Sequence, residues 1–273
     1  MHPDLFTIPL PEFLQNLFNT ATLTVHTYGV CIAMGILASF LYASHQAKKQ
    51  LGISTETMSD LLLFLILASV VGGKIFFYFE DVKYYFGTPA NMIKSFSGGF
   101  VFYGSLLFAI PTMIIFFKKK KMPVLPMLDI IAITATIVHA FGRCGCFNAG
   151  CCHGVPTDSW IGVTFSNPSC AANPKDVPLH PTQLYSIFML LVIMGVLFLI
   201  KNRKKFDGQM FLIYMFLYAI GRSIIEIFRG DSARGFIIDN VLSHSQFISI
   251  FVLIGVGYFY FRLKKKGELF SAS

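Results

Sequence analysis

The sequence predicts an all-α integral membrane protein with about seven transmembrane helices, its N-terminus outside and its C-terminus cytoplasmic. Three observations carry this. Of the 273 residues, 55% are hydrophobic and only 13% are charged, about half the charged share of an ordinary soluble domain. The apolar residues fall in seven blocks, each near the ~17–25 residues that cross a hydrocarbon core. The basic residues fall in clusters that follow alternate blocks.

The blocks, in order, are Val25–Ala43, Leu61–Phe79, Phe100–Phe117, Leu125–Phe141, Leu184–Ile200, Met210–Phe228 and Phe247–Phe261. Inside lipid each backbone polar group needs a partner within its own segment, so each block is expected to be a helix. Fourteen of the 22 basic residues sit in four clusters: Lys48–Lys49, Lys118 to Lys121, Lys201 with Arg203 to Lys205, and Arg262 with Lys264 to Lys266. They follow the first, third, fifth and seventh blocks, and basic flanks are retained on the cytoplasmic side. All four agree on one topology. The net charge of +8 is thus a topology signal and a contact for lipid surfaces, and no nucleic-acid partner is expected.

The first twenty residues lack a basic n-region and contain Asp4 and Glu12, so no cleavable signal peptide is expected. Pro11 to Phe18 places Phe13, Leu14, Leu17 and Phe18 at helical spacing. The segment reads either as a helix lying on the membrane surface or as a lead-in loop.

The remaining basic residues, Lys74, Lys83, Lys94, Arg143, Lys175, Arg222, Arg229 and Arg234, fall in outward loops or outer span ends, with Glu226 and Asp231. Any chemistry is therefore expected on that side. Two outer loops are large, Glu80–Gly99 and Gly142–Gln183, and the second holds Cys144, Cys146, Cys151, Cys152 and Cys170. At least one disulfide is expected among them. Zinc bound with His153 or His180, and free or redox-active thiols, are the other readings, although the C-x-C and C-C spacings do not match the common zinc pattern.

Two segments place ionisable groups where apolar ones would cost less. One runs from His139 through Arg143 and Asn148 to Gly154, and is expected to leave the fourth span as a glycine-rich turn. The other is the outer end of the sixth span, with Arg222, Glu226 and Arg229 at four- and three-residue intervals, on one helix face. Intramembrane charges cost several kcal/mol and mark sites. Arg143 and Arg222 suit a bidentate grip on a phosphate, and Glu226 suits orienting an arginine or taking a proton. The plainer reading is an ion pair that snorkels. His180, Gln183 and Tyr185 open the fifth span, and Tyr28 and Tyr103 lie near outer ends of the first and third.

Taken together, Tyr28-Gly29, Gly72-Gly-Lys74 with Tyr78, Gly98-Gly99 to Gly104, Gly142-Arg143-x-Gly145-x-Phe147 to Gly154, His180-Pro181-x-Gln183-Leu184-Tyr185 and Arg222-x3-Glu226-x2-Arg229 resemble the phosphatidylglycerol–prolipoprotein diacylglyceryl transferase family. The likeness spans nearly the whole chain. It implies transfer of diacylglycerol from phosphatidylglycerol to the lipobox cysteine of a prolipoprotein, in a bacterial inner membrane, with no metal and no cofactor. It implies catalytic roles for Arg143, Arg222, Tyr103, Glu226 and His180. It implies substrate contacts for Tyr28, Lys74, His139, Asn148, Gly154, Gln183, Tyr185 and Arg229. It also implies one polytopic domain, residues 1–273, whose loops 80–99 and 142–183 form a periplasmic head.

The chain departs from the family as a cysteine-rich branch. Tyr103 stands where histidine is usual, Cys146 for asparagine, Cys151 for an acid, Lys74 for arginine and Ser186 for glutamate. A tyrosine titrates near ~10 and is a poor base at neutral pH. Either His139, His180 or Glu226 takes the base role, or acceptor or lipid differs. A non-catalytic lipid-binding protein and a thiol–disulfide protein are the rival classes. No C-x-x-C is present, which disfavours the latter.

Overall fold

The computed structural model describes every residue except 14, 16–20, 89–90, 93–94, 96–98, 230–235, 239–241 and 272–273. Leu14, Leu17, Phe18, Lys94, Gly98, Asp231 and Arg234, singled out above, lie outside the described residues. Among the described residues, seven helices are long and apolar enough to cross a membrane, one for each apolar block. They are α1 (Thr27–Leu51), α2 (Thr55–Glu80), α4 (Phe102–Lys119), α5 (Val124–Ala149), α6 (Thr182–Ile200), α7 (Gln209–Ile227) and α8 (His244–Ser271), with a short α3 (Val82–Gly87) between α2 and α4.

Strand pairs that the hydropathy pattern does not report are also present. β1 (Asp4–Pro9) and β2 (Thr22–His26) form an antiparallel pair. Short strands β3 (Val163–Thr164) and β4 (Pro178–Leu179) pair within the second outer loop, and β5 (Phe236–Ile238) pairs with β6 (Leu242–Ser243) ahead of α8.

The chain divides into two compact units. The unit Tyr42–Met127 is built on α2 against α4. Gly72 and Gly104 face each other so closely that a Cβ on either would strike the other's carbonyl oxygen. That closeness lets Ser105 Oγ donate to the Ser69 carbonyl (2.9 Å) across the pair. Asp81 ends α2 and caps α3, its carboxylate accepting from Tyr84 N (3.1 Å).

The other unit holds Met1–Leu41 and Leu128–Ser273. In it α7 packs on both α6 and α8. Asp129, 3% exposed near the start of α5, accepts from the amides of Gly208 (3.0 Å), Met210 (2.9 Å) and Phe211 (3.2 Å). It therefore satisfies donors that the first turn of α7 leaves open, where a negative charge also suits the helix dipole. Lys204 Nζ closes the group on Asp129 (3.0 Å) and Asp207 (2.8 Å).

At the other end of α5 the structure corrects the expected boundary. The helix does not stop at Phe141 but runs to Ala149, so Arg143 lies inside it. An interior glycine costs a helix only about 1 kcal/mol, and here it allows close packing. A Cβ on Gly145 would meet Tyr28 and Cys31 of α1.

Candidate active site

Three helix ends and one loop converge in the unit that contains α5, α6 and α7. The last turn of α5 closes at Gly150, whose φ of +72° only glycine adopts without strain. The chain then turns back along α5 and crosses to the start of α6 and the end of α7. Gly154 N donates to the His180 carbonyl (2.8 Å), His180 N to the Val155 carbonyl (3.0 Å), and Val155 N to the Phe228 carbonyl (3.1 Å). A side chain on Gly154 would strike Phe228, His180 and Thr182 together. The crossing requires glycine, and it fixes the start of α6 and the end of α7 against the loop that follows α5.

α5 and α7 run in the same direction. Asp129 meets Met210 at one end, and further along the His139 ring lies 5.4 Å from that of Tyr218. One turn beyond that contact stand Arg143 on α5 and Arg222 on α7, four residues on in each helix. Arg143 Nε donates to His139 Nε2 (3.3 Å), and His139 has both Arg143 and Arg222 as charged neighbours. Arg222 pairs with Glu226, both largely buried, as their four-residue spacing predicts. Arg229, 9% exposed, follows at the end of α7 and is a charged neighbour of Arg222.

The remaining residues expected at the site divide clearly. His180 Nδ1 and the Tyr185 hydroxyl share a hydrogen bond (2.9 Å), and both rings pack on Phe228. Gln183, fully buried, donates to the Cys151 carbonyl (2.7 Å), while its Oε1 has no hydrogen-bond partner among the described residues. Tyr28 packs beside Gly145 with 44% of its surface exposed. Asn148 spends its amide on the Cys144 carbonyl of its own helix (3.0 Å). Lys74 and Tyr103 belong to the Tyr42–Met127 unit. There Lys74 Nζ donates to the Gly99 carbonyl (2.9 Å), and Tyr103 is 68% exposed at the start of α4.

The cysteines differ from expectation. All six are free thiols, with no disulfide among Cys144, Cys146, Cys151, Cys152 and Cys170. The loop is held instead by a small core of Phe165, Cys170, Ala172 and Leu179, against which Met1 and Phe147 pack. Because α5 extends through Cys144 and Cys146, those two residues point from different sides of one helix. The Sγ atoms of Cys146, Cys151 and Cys152 instead converge within 4.8 Å of one another. Hydrogen bonds from Cys146 and Cys151 hold the Cys152 thiol below its ordinary range despite burial, with Arg143 and Arg229 acting the same way. Hydrogen bonding with Cys146 and Cys152 pushes the Cys151 thiol up. The histidines read as zinc partners are engaged elsewhere. His153 bonds to the Gly154 carbonyl (2.9 Å) and the Asn173 amide (3.3 Å), and His180 bonds to Tyr185. Spacing alone did not reveal the sulfur trio, which depends on the turn at Gly150.

Comparison with known proteins places the chain among its relatives. The chain is 37% identical over 250 residues to a phosphatidylglycerol–prolipoprotein diacylglyceryl transferase of Clostridium tetani, covering 91% of this chain and 97% of the relative. It is 34% identical to the transferase numbered 2 of Clostridium perfringens, covering 90% and 94%. It is 30% identical to that of Finegoldia magna, covering 91% and 95%. The family model for prolipoprotein diacylglyceryl transferase matches residues 15–262. The chain, matched from residue 15 to residue 262 within its last apolar helix, belongs to the prolipoprotein diacylglyceryl transferase family.

Proposed function

We propose that this multi-pass protein of the bacterial inner membrane transfers the diacylglyceryl group of phosphatidylglycerol to the lipobox cysteine thiol of prolipoproteins, at the outer face of that membrane. The reading rests on family membership. It also rests on one observation of the site: Arg143 and Arg222 stand one turn past the same His139–Tyr218 contact on two helices of like direction.

Charge develops on phosphate as this reaction proceeds. The substrate thiolate attacks the glycerol carbon that bears the phosphodiester oxygen. The carbon–oxygen bond breaks, its electron pair passes to the phosphate, and glycerol phosphate leaves. Two guanidinium groups held in a region of low dielectric stabilise that anion without reorganising. Glu226 holds Arg222 in place, and His139 does the same for Arg143 through its bond to Nε.

The thiol proton needs a base. His139 already accepts from Arg143, and Glu226 is engaged by Arg222. His180, steadied by Tyr185, is the base in this reading, in place of the exposed Tyr103. Gln183 Oε1 is a buried acceptor without a hydrogen-bond partner among the described residues. Tyr28, Asn148, Gly154 and Arg229 shape the same region, while Lys74 and Tyr103 belong to the Tyr42–Met127 unit and take no step in this reading. The test is complementation of a strain depleted of its own diacylglyceryl transferase, followed by mass analysis of a lipoprotein N-terminus. Growth with a diacylglyceryl-modified cysteine is the expected result. An unmodified cysteine in cells that carry the folded protein overturns the reading.

A further inference from the structure

We infer that Cys146, Cys151 and Cys152 form a binding site for a thiophilic d10 cation such as Zn²⁺ or Cu⁺. Their three sulfurs lie within 4.8 Å of one another. Zinc–thiolate bonds of about 2.3 Å in a tetrahedron place sulfurs about 3.8 Å apart. Rotation of the side chains closes the remaining ångström or less without moving the backbone.

The backbone that presents the sulfurs is fixed. Cys151 N donates to the Cys146 carbonyl (3.1 Å) after the Gly150 turn. The next two carbonyls are held from α6: that of Cys151 by Gln183 Nε2 (2.7 Å) and that of Cys152 by Thr182 Oγ1 (2.6 Å). Both of those side chains are fully buried. Cys152 itself has a φ of +62°, a region that non-glycine residues seldom occupy. These contacts hold it there, with its sulfur turned toward the other two.

An all-sulfur donor set selects soft ions, and excludes magnesium and calcium, which take oxygen ligands. Three thiolates around a divalent ion leave one net negative charge, and Arg143 and Arg229 are the charged neighbours of Cys152. Each thiol that binds gives its proton to solvent, so binding releases protons and strengthens with pH. His153 is engaged with Gly154 and Asn173, which leaves the fourth position of a tetrahedral ion to a small exogenous donor such as water.

The test needs no turnover, so it stands or falls separately from the transferase reading. Full-length protein purified in detergent under reducing conditions is equilibrated with Zn²⁺, dialysed and assayed for bound metal. Cu⁺ is offered to a parallel sample under anaerobic conditions. The expected result is about one ion per chain, with a melting temperature raised by Zn²⁺ or Cu⁺ but not by Mg²⁺. Cys146→Ser, Cys151→Ser and Cys152→Ser should each weaken binding at least about tenfold. Cys31→Ser, Cys144→Ser and Cys170→Ser should not. Should a trio variant fail to fold, the metal-dependent melting shift of the unmodified protein still decides. Wild-type protein that retains no ion and shows no shift overturns the site, as does equal loss of binding in Cys144→Ser and Cys152→Ser. A disulfide found within the trio in unreduced, freshly purified protein overturns it as well.

Discussion

Arg143 and Arg222 are guanidinium groups on helices that otherwise carry apolar residues at that depth, and each has a specific neighbour that holds it in place. Arg143 bonds to His139 one turn back, and Arg222 pairs with Glu226 one turn on. Lysine keeps the charge but loses the planar fork of donors. Arg143→Lys should therefore reduce transfer of labelled diacylglycerol to a lipobox peptide, and Arg222→Ala should reduce it by about 10²–10³-fold. Near-normal transfer by both folded, membrane-inserted variants would remove the phosphate role. Much of this was legible in the chain: i and i+4 charges within an apolar run show both the pair and the shared face. The sulfur trio was not legible, because C-x-C followed by C-C describes its geometry only once Gly150 is known to reverse the chain. Asp129 was missed for a related reason. A single acid within an apolar block has no local partner, and its partners are amides some eighty residues away.

At the scale of elements, α5 joins the two ends of its unit. Asp129 near its start caps α7, and Arg143, about 21 Å further along at 1.5 Å per residue, stands opposite Arg222. The cap is thus what sets the register of α7 against α5, and so places the arginines at a common level. Asp129→Ala leaves Lys204 without one carboxylate and three amides without an acceptor. Loss of one partner from a buried pair costs about 3–5 kcal/mol, so this variant should melt well below the parent in detergent. Burial pulls the Lys204 ammonium down, but its bonds to Asp207 and Asp129 outweigh that and raise it overall. A raised lysine stabilises the fold fully below its unfolded value near ~10.4 and loses that contribution as pH rises through the folded value. The melting deficit of Lys204→Met should therefore be constant near neutrality and shrink at strongly alkaline pH. A deficit that grows with pH would show that Lys204 acts by some other means. The helices themselves were legible because hydropathy reports burial in lipid directly. Their ends were not, since α5 continues through the eight residues Gly142–Ala149 that read as a turn, and β2, although Thr22–His26 alternates polar and apolar residues, runs into the first apolar block at Val25.

For the whole molecule, seven helices among the described residues are long and apolar enough to cross a membrane, and seven crossings would place the termini on opposite sides. We propose from charge that the N-terminus lies outside. Lys48–Lys49 and Arg262 with Lys264 to Lys266 lie within the C-terminal parts of α1 and α8, and Lys118 to Lys121 and the group from Lys201 to Lys205 lie at or just after the ends of α4 and α6. Successive spans of a multi-pass chain alternate in direction, so in this proposal those four clusters fall on one side of the membrane. Fourteen basic residues on one face would have to be carried across the membrane if the orientation were reversed, against the retention of basic flanks on the cytoplasmic side. In that proposed orientation the His180 and Arg143 end of the structure lies on the outer side, where the proposed transfer takes place. A reporter active only outside the cytoplasm should work when fused after Tyr85 or Pro168 and fail after Lys119 or Lys204. Activity at Lys119 would reverse the orientation. The arginines and the proposed base would then face the cytoplasm, where the transfer proposed above has no acceptor.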